Sequence, residues 1–222
     1  MQNKEPEKIM IFVSTGRCGT VRLSQILKNR LPENFTVLHQ TKISRLANII
    51  GNILYYTRSD FNFIKRIIFR NLLKHNKSDF LINTDPLTAM MIPDDIIKSD
   101  NVCIIHVYRN SADFAKSFYK FSRLKKKSFI AHNFIPFWQI NIFPLQNWIL
   151  GEKIIKRYNK TSNIKNSWFV KKYKSNRHFE TIDMKKMFNS DFIEKKIISF
   201  FGISFKLSSE DLKIKANESE QK

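Results

Sequence analysis

A chain of 222 residues is long enough to bury a core as one domain, and 39 Lys plus Arg against 19 Asp plus Glu leave it at a net charge of +20. That charge attracts polyanions, anionic cofactors and anionic membrane surfaces without specifying a fold, and the heavy use of Lys, Asn, Ile and Phe along the whole chain marks most of it as compositional drift rather than a local patch. Two cysteines, Cys18 and Cys103, are too few for a disulfide scaffold and suit a reducing compartment; without a secretory leader or an apolar span of membrane length, the expectation is a soluble, cytoplasmic protein.

Residues 9–13, Ile-Met-Ile-Phe-Val, form a continuous β-prone run of the kind buried on both faces of a sheet. Ser14, Thr15 and Gly16 interrupt it, and from Thr20 onward Leu23, Ile26 and Leu27 recur at helical spacing. A turn at 31–34 leads to a short strand over 35–39, which ends in His39, Gln40 and Thr41. From 42 to about 75 the pattern is mostly helical, with a break near Ser59 and Asp60 and a basic polar face that reads as solvated. A third strand over 80–83 runs into Thr84-Asp85-Pro86; helix-like residues follow, and Pro93-Asp94-Asp95 opens another turn.

The stretch 102–108 is the second candidate for a buried central strand. It leaves through Arg109, Asn110 and Ser111 into a helix over 112–121, for which Ser111 is the expected N-cap. Beyond it, the basic run at 124–127 and the aromatics Phe129, Phe134, Phe137 and Trp138 predict a covering loop. Residues 146–160 predict a helix, and over the aromatic, apolar stretch 128–150 Pro136 and Pro144 with Asn133, Asn141 and Asn147 argue against a membrane span. A final strand and turn are expected over 177–188, then an amphipathic helix with Ser190 as N-cap and Gly202 as its stop. Strands alternating with helices predict a three-layer α/β/α sandwich around a mostly parallel sheet, one domain over 1–207 followed by a polar, fraying tail over 208–222.

A strand that turns through glycines into a helix presents backbone N–H groups and the positive end of the helix dipole to one point, which suits a phosphate or a sulfate. The loop after the first strand is not a nucleotide-kinase P-loop, because Gly16 is followed by Arg-Cys-Gly-Thr and no Gly-Lys-Ser/Thr follows; nor is it GxGxxG. It offers backbone amides, the hydroxyls of Thr15 and Thr20, and one cation, Arg17.

The stretch 14–22, STGRCGTVR, resembles the first loop of the sulfotransferases that use 3′-phosphoadenosine 5′-phosphosulfate, typically TYPKSGTTW or GxxRSGTT. The family's second signature, RNPxDxAxSxYxxxR at the end of a strand, is matched by VYRNSADFAKSFYKFSR, which keeps Arg109, Asn110, Asp113, Ala115, Ser117, Tyr119 and Arg123. The resemblance covers roughly 8–205 and implies a P-loop NTPase-like sulfotransferase fold. It implies that Thr15, Gly16, Arg17, Cys18, Gly19, Thr20 and Val21 hold the 5′-phosphosulfate, with Arg17 on the oxygen bridging phosphorus and sulfur, and that Arg109 and Ser117 hold the 3′-phosphate. The family's YEDM and FxG elements are similar to TIDM and FFG here, preserving Asp183 and Gly202, while Arg22 stands where some members place a tryptophan against the adenine.

The implied reaction moves a sulfuryl group from 3′-phosphoadenosine 5′-phosphosulfate to an acceptor hydroxyl, of a carbohydrate, by in-line displacement. Positioning and charge stabilisation carry such a step, and it needs no metal. Two residues compete as the base. Asp85 stands where the family's KTHLPL segment carries its histidine, and His39, at the end of the second strand, titrates near neutrality. His106, inside an apolar strand, reads as a core histidine, and His75, His132 and His178 have no supporting context. Two other readings stay open. One is a nucleotide kinase of related fold, opposed by the missing Gly-Lys-Ser/Thr. The other is a basic nucleic-acid-binding protein, motivated by aromatics interleaved with lysines over 118–138.

Overall fold

The computed structural model describes residues 5–74, 76–124, 126–138, 154–189, 191–208 and 210–211. Five parallel strands, β1 Lys8–Val13, β2 Phe35–Leu38, β3 Phe80–Asn83, β4 Val102–Tyr108 and β5 Glu180–Asp183, form one sheet in the order β2-β3-β1-β4-β5. Their side chains alternate between two helix layers. Met10, Phe12, Cys103, Ile105 and Val107 pack with Leu23 and Leu27 of α1 (Thr20–Arg30) and with Ile193, Ile197 and Phe201 of α9 (Phe192–Phe201). Ile9, Ile11, Val13, Val102 and Ile104 meet Phe69 and Leu72 of α3 (Asn62–Leu73) and Phe169 and Tyr173 of α7 (Ile154–Tyr173) on the other face. The continuous apolar run of β1 is thereby explained: both faces are covered, so neither register position has water to satisfy. The fold is the α/β/α sandwich with a parallel central sheet that the alternation predicts.

The break expected near Ser59 and Asp60 separates α2 (Ser44–Tyr56) from α3. Other boundaries differ. His39 lies just past β2 rather than within it. Asp94 and Asp95 begin a one-turn helix, α4 (Asp94–Ile97), instead of an open turn, and β5 runs directly into α8 (Met184–Asn189). The N-cap of α5 (Ser111–Arg123) is Asn110, not Ser111: its Oδ1 accepts from the backbone N–H of Ala112 at 2.9 Å and of Asp113 at 3.3 Å, while the Ser111 hydroxyl donates to Asn163 Oδ1 at 2.6 Å. Both residues are good caps, and the backbone settles the choice: Ser111 is already helical, one place too late to reach the first free N–H groups.

Residues 126–134 are not a loop but α6 (Lys126–Phe134), whose Asn133 Oδ1 accepts hydrogen bonds from Arg157 at 2.5 Å and from Tyr158 at 2.8 Å on α7. The expected helix over 146–160 is described from Ile154 and continues to Tyr173; its first part, with Pro144 before it, lies outside the described residues, as do His75 and Ser190. Gly202 ends α9 at φ 77°, the left-handed conformation expected of a C-terminal glycine. The chain just beyond 207 is anchored rather than frayed, since Arg30 pairs with buried Asp211 at 3.0 Å; 212–222 lie outside the described residues. Among the described residues no helix is long and apolar enough to cross a membrane.

Candidate active site

The order of the strands fixes where a ligand can sit. From β1 the chain turns through α1 toward β2 on one side of the sheet, and from β4 it leads to β5 on the other, so the loops after these two adjacent strands diverge and leave a crevice at their carboxyl ends. The loop after β1 carries Thr15 to Gly19 and the loop after β4 carries Arg109. The two are tied together directly: Arg109 Nη1 donates to the carbonyl oxygen of Arg17 at 3.0 Å.

The first loop holds three left-handed residues, Gly16 (φ 90°), Arg17 (φ 54°) and Gly19 (φ 75°). Left-handed turns of this kind bring successive backbone N–H groups toward one concavity, a shape that accepts an anion, and α1 adds the positive end of its dipole. For Arg17 this conformation costs about 1–3 kcal/mol. The tie to Arg109 and the stacking of its guanidinium 4.6 Å from the Phe121 ring centre hold it there. Gly19 is needed twice over, by its φ and because a Cβ would lie 2.6 Å from Phe188 Cε2. Gly19→Ala is therefore expected to destabilise the protein by about 1–3 kcal/mol, from left-handed strain plus displacement of the phenyl ring. A thermal melt showing an unchanged Tm contradicts this account.

A cavity of about 370 Å³ opens over the crevice, within the roughly 300–1,000 Å³ typical of ligand pockets. It brings together Thr15, Gly16, Arg17, Gly19, Thr20, Val21, His39, Arg109 and Ser117, residues far apart in sequence, and among the described residues that line it there is no carboxylate. Two expected site residues are not on its wall. The Cys18 side chain points into the core beneath the loop, its thiol donating to the Gly16 carbonyl at 3.2 Å and pushed up to about 12 by burial, so only its backbone is left for a ligand. Asp85 is buried as well. Its Oδ1 accepts from the N–H of Leu87 at 2.9 Å, capping the 3₁₀ turn Pro86–Thr88, and its Oδ2 accepts from the Ser44 hydroxyl. A carboxylate spent on these two bonds serves the backbone, and desolvation raises its pKa.

His39 is placed differently. Its Nδ1 lies 3.2 Å from the Thr84 carbonyl and 3.0 Å from Thr84 Oγ1, whose own proton goes to the Leu38 carbonyl at 3.2 Å. Both neighbours can only accept, so Nδ1 carries the proton and Nε2 is left as an acceptor; it has no hydrogen-bond partner among the described residues. Desolvation holds His39 below the usual histidine value of 6.5, partly offset by the nearby Asp85 carboxylate and the bond to Thr84, so the ring is neutral at pH 7. Asp85 thus reaches His39 only through the field of its charge, its two oxygens being engaged with Ser44 and Leu87.

The most consequential residue that sequence reasoning misses is Lys165. It lies on α7, one turn before Phe169, is 5% exposed and lines the same cavity; burial lowers its ammonium pKa to about 7. The segment around it matches neither signature, and its only signal is a lysine at a position that helical spacing places inward, beside Thr161, Ser162 and Phe169. Phe118 and Phe121, part of the aromatic set that suggested a strand-binding surface, line this cavity instead of forming an outer platform. Arg22 stacks on Phe188, 4.3 Å from the ring centre, and reaches the Asp211 carbonyl at 3.4 Å. His106 is a core histidine, with Nε2 3.1 Å from Asn166 Oδ1.

No protein-family model matches the chain and no curated protein matches it. Solved structures do. A sulfotransferase from Alicyclobacillus acidocaldarius superposes with a TM-score of 0.52 at 11% identity, over 94% of this chain and 88% of that one. Mouse sulfotransferase SULT7A1, complexed with PAP, superposes with a TM-score of 0.52 at 18% identity, over 95% of this chain and 64% of the mouse chain. With the cavity at the carboxyl ends of β1 and β4, a strand order 2-3-1-4-5 and neighbours of this kind, the chain has the α/β fold of the sulfotransferases.

Proposed function

We propose that this chain is a sulfotransferase that moves a sulfuryl group from 3′-phosphoadenosine 5′-phosphosulfate to an acceptor hydroxyl. The observation that carries the reading is the hydrogen bond from Arg109 to the Arg17 carbonyl. It joins the two loops that match the family's two phosphate-binding signatures into one wall of a cavity without a carboxylate. The donor carries two phosphate groups, and two sets of groups on the cavity wall suit them in this reading: the left-handed loop at the start of α1, and Arg109 with Ser117 of α5.

In this mechanism His39 Nε2 takes the proton of the acceptor hydroxyl as its oxygen attacks sulfur. The bond from sulfur to the bridging oxygen breaks in line, and its electron pair leaves with the 5′-phosphate. Arg17 and the amides of the first turn of α1 stabilise the charge that grows on that phosphate, and they are in place before it forms. Thr84 keeps the histidine in the tautomer the step requires. The acceptor class is a carbohydrate and the compartment cytoplasmic in this reading. Titrating the purified chain with 3′-phosphoadenosine 5′-phosphate and assaying transfer of radiolabelled sulfate to cell-envelope fractions tests it. An unchanged Tm at saturating nucleotide overturns it.

Lys165 gives a test in which stability and binding move in opposite directions. Its folded pKa of about 7 lies below the usual lysine value of 10.5, so between these pH values the unfolded chain holds more protons and stability rises with pH. Lys165→Met is expected to remove that slope and to raise the Tm of the free protein below pH 7, where the buried ammonium is charged. It should also weaken nucleotide binding by roughly 10- to 100-fold, the worth of one charge-assisted contact. A variant that loses stability and keeps its affinity contradicts a ligand-binding role for Lys165.

A further inference from the structure

A second cavity, of about 680 Å³, adjoins the first and shares Gln40, Leu87 and Phe121 with it. Its remaining wall holds Lys42, Arg45 and Lys127, together with Trp138 and His132, and among the described residues lining it there is no carboxylate. The chain's overall excess of lysine does not account for this. The cavity beside α2 and α3 is also lined by three cations, Arg58, Lys65 and Lys172, but there Asp60 stands among them and pairs with both lysines.

Helix chemistry points the same way. Arg45 lies in the first turn of α2 with Lys42 just before it, and Lys127 lies in the first turn of α6; neither first turn contains an acidic residue. Helices favour acidic groups at that end, so cations there cost stability that a bound anion offsets. His132 supplies an independent sign of a ligand. It is 3% exposed, lies on the wall of this cavity, and its Nδ1 has no hydrogen-bond partner among the described residues. A buried polar atom left in that state is costly unless something completes it.

Resting on the sulfotransferase reading, we propose that this second cavity binds an acidic saccharide as the acceptor, its anionic substituent held by Lys42, Arg45 and Lys127 and one sugar face against Trp138. The acceptor hydroxyl then extends past Gln40 and Phe121 toward His39, and a ring oxygen or hydroxyl of the saccharide satisfies His132. Exposure of the three cations makes this attraction salt-sensitive, so it selects acidic over neutral sugars most strongly at low ionic strength.

The test uses the full chain saturated with 3′-phosphoadenosine 5′-phosphate and isothermal titration at low salt with three probes: neutral chitotetraose, a hyaluronan tetrasaccharide bearing carboxylates, and a chondroitin sulfate tetrasaccharide bearing carboxylates and sulfate. At least one acidic probe is expected to bind tenfold or more tightly than the neutral one. Preference for the sulfated probe over the carboxylate probe identifies sulfate as the recognised group, and equal binding identifies the carboxylate. The variant K42Q/R45Q/K127Q, altered only at exposed positions, is expected to lose that preference while holding the nucleotide within twofold of the unmodified chain. Equal binding of neutral and acidic sugars, absence of binding by both acidic probes, or an unchanged preference in the variant overturns the proposal and leaves the donor site standing. Failure of the unmodified chain to bind the nucleotide is a separate result, which overturns the sulfotransferase reading and this inference with it.

Discussion

Arg109→Ala is expected to weaken binding of 3′-phosphoadenosine 5′-phosphate by about 2–5 kcal/mol, or roughly 30-fold to several thousand-fold in Kd. Two effects add. The variant removes a planar, permanently charged group from the site proposed for the 3′-phosphate, and it removes the donor that holds the Arg17 carbonyl at 3.0 Å. Without that tie the left-handed conformation of Arg17 loses one of its two supports, and the amides of the first loop lose their preset arrangement. Arg109→Lys separates the two effects. It restores charge without the planar fork, so it is expected to recover only part of the affinity. Calorimetric titration of both variants checks this, and full rescue by lysine would show that charge alone matters.

The second large effect falls on the chemical step. His39→Ala is expected to lower kcat by about 10²- to 10⁴-fold while leaving nucleotide affinity within a few-fold, because in the proposed mechanism the ring takes the acceptor's proton and need not touch the donor's phosphates. In the unmodified protein kcat/KM is expected to rise with pH as His39 loses its proton, with the acid limb below that of an ordinary histidine. Its pKa is lowered by burial, and the acid limb reports that group in the free enzyme. Asp85→Asn is the companion variant. Asparagine can still accept from the Leu87 N–H, so the 3₁₀ turn survives, with a loss of about 0.5–2 kcal/mol in stability and a much smaller fall in kcat. A collapse of kcat in Asp85→Asn with near-normal activity in His39→Ala would reverse the assignment of the base.

The ambiguity between these two residues shows how far reading the chain reaches. Asp85 has the better position along the sequence, two residues past the end of a buried strand and before a proline. What weighs against it in the proposed mechanism is local: the carboxylate turns back to cap its own turn and meets Ser44 from a helix 41 residues earlier. The tautomer of His39 is set by Thr84, just past the neighbouring strand β3, whose carbonyl and hydroxyl fix which ring nitrogen carries the proton. Neither relation is a spacing, so no motif records it.

The same division runs through the chain. Strand and helix periodicity, the two glycines of the first loop and the Arg109 signature are local patterns, written in consecutive residues because backbone conformation is decided within a few residues. They determined the α/β class, the central strands β1 and β4, and the loop that begins α1. Lys165, the helix at 126–134 and the second cavity depend on which faces meet across the sheet and between α2, α5, α6 and α7. Only the tertiary structure decided these, because burial and a shared cavity wall arise from contacts between residues distant in sequence, and a lysine at an inward helical position looks the same in the chain whether it ends in solvent or in the wall of a cavity.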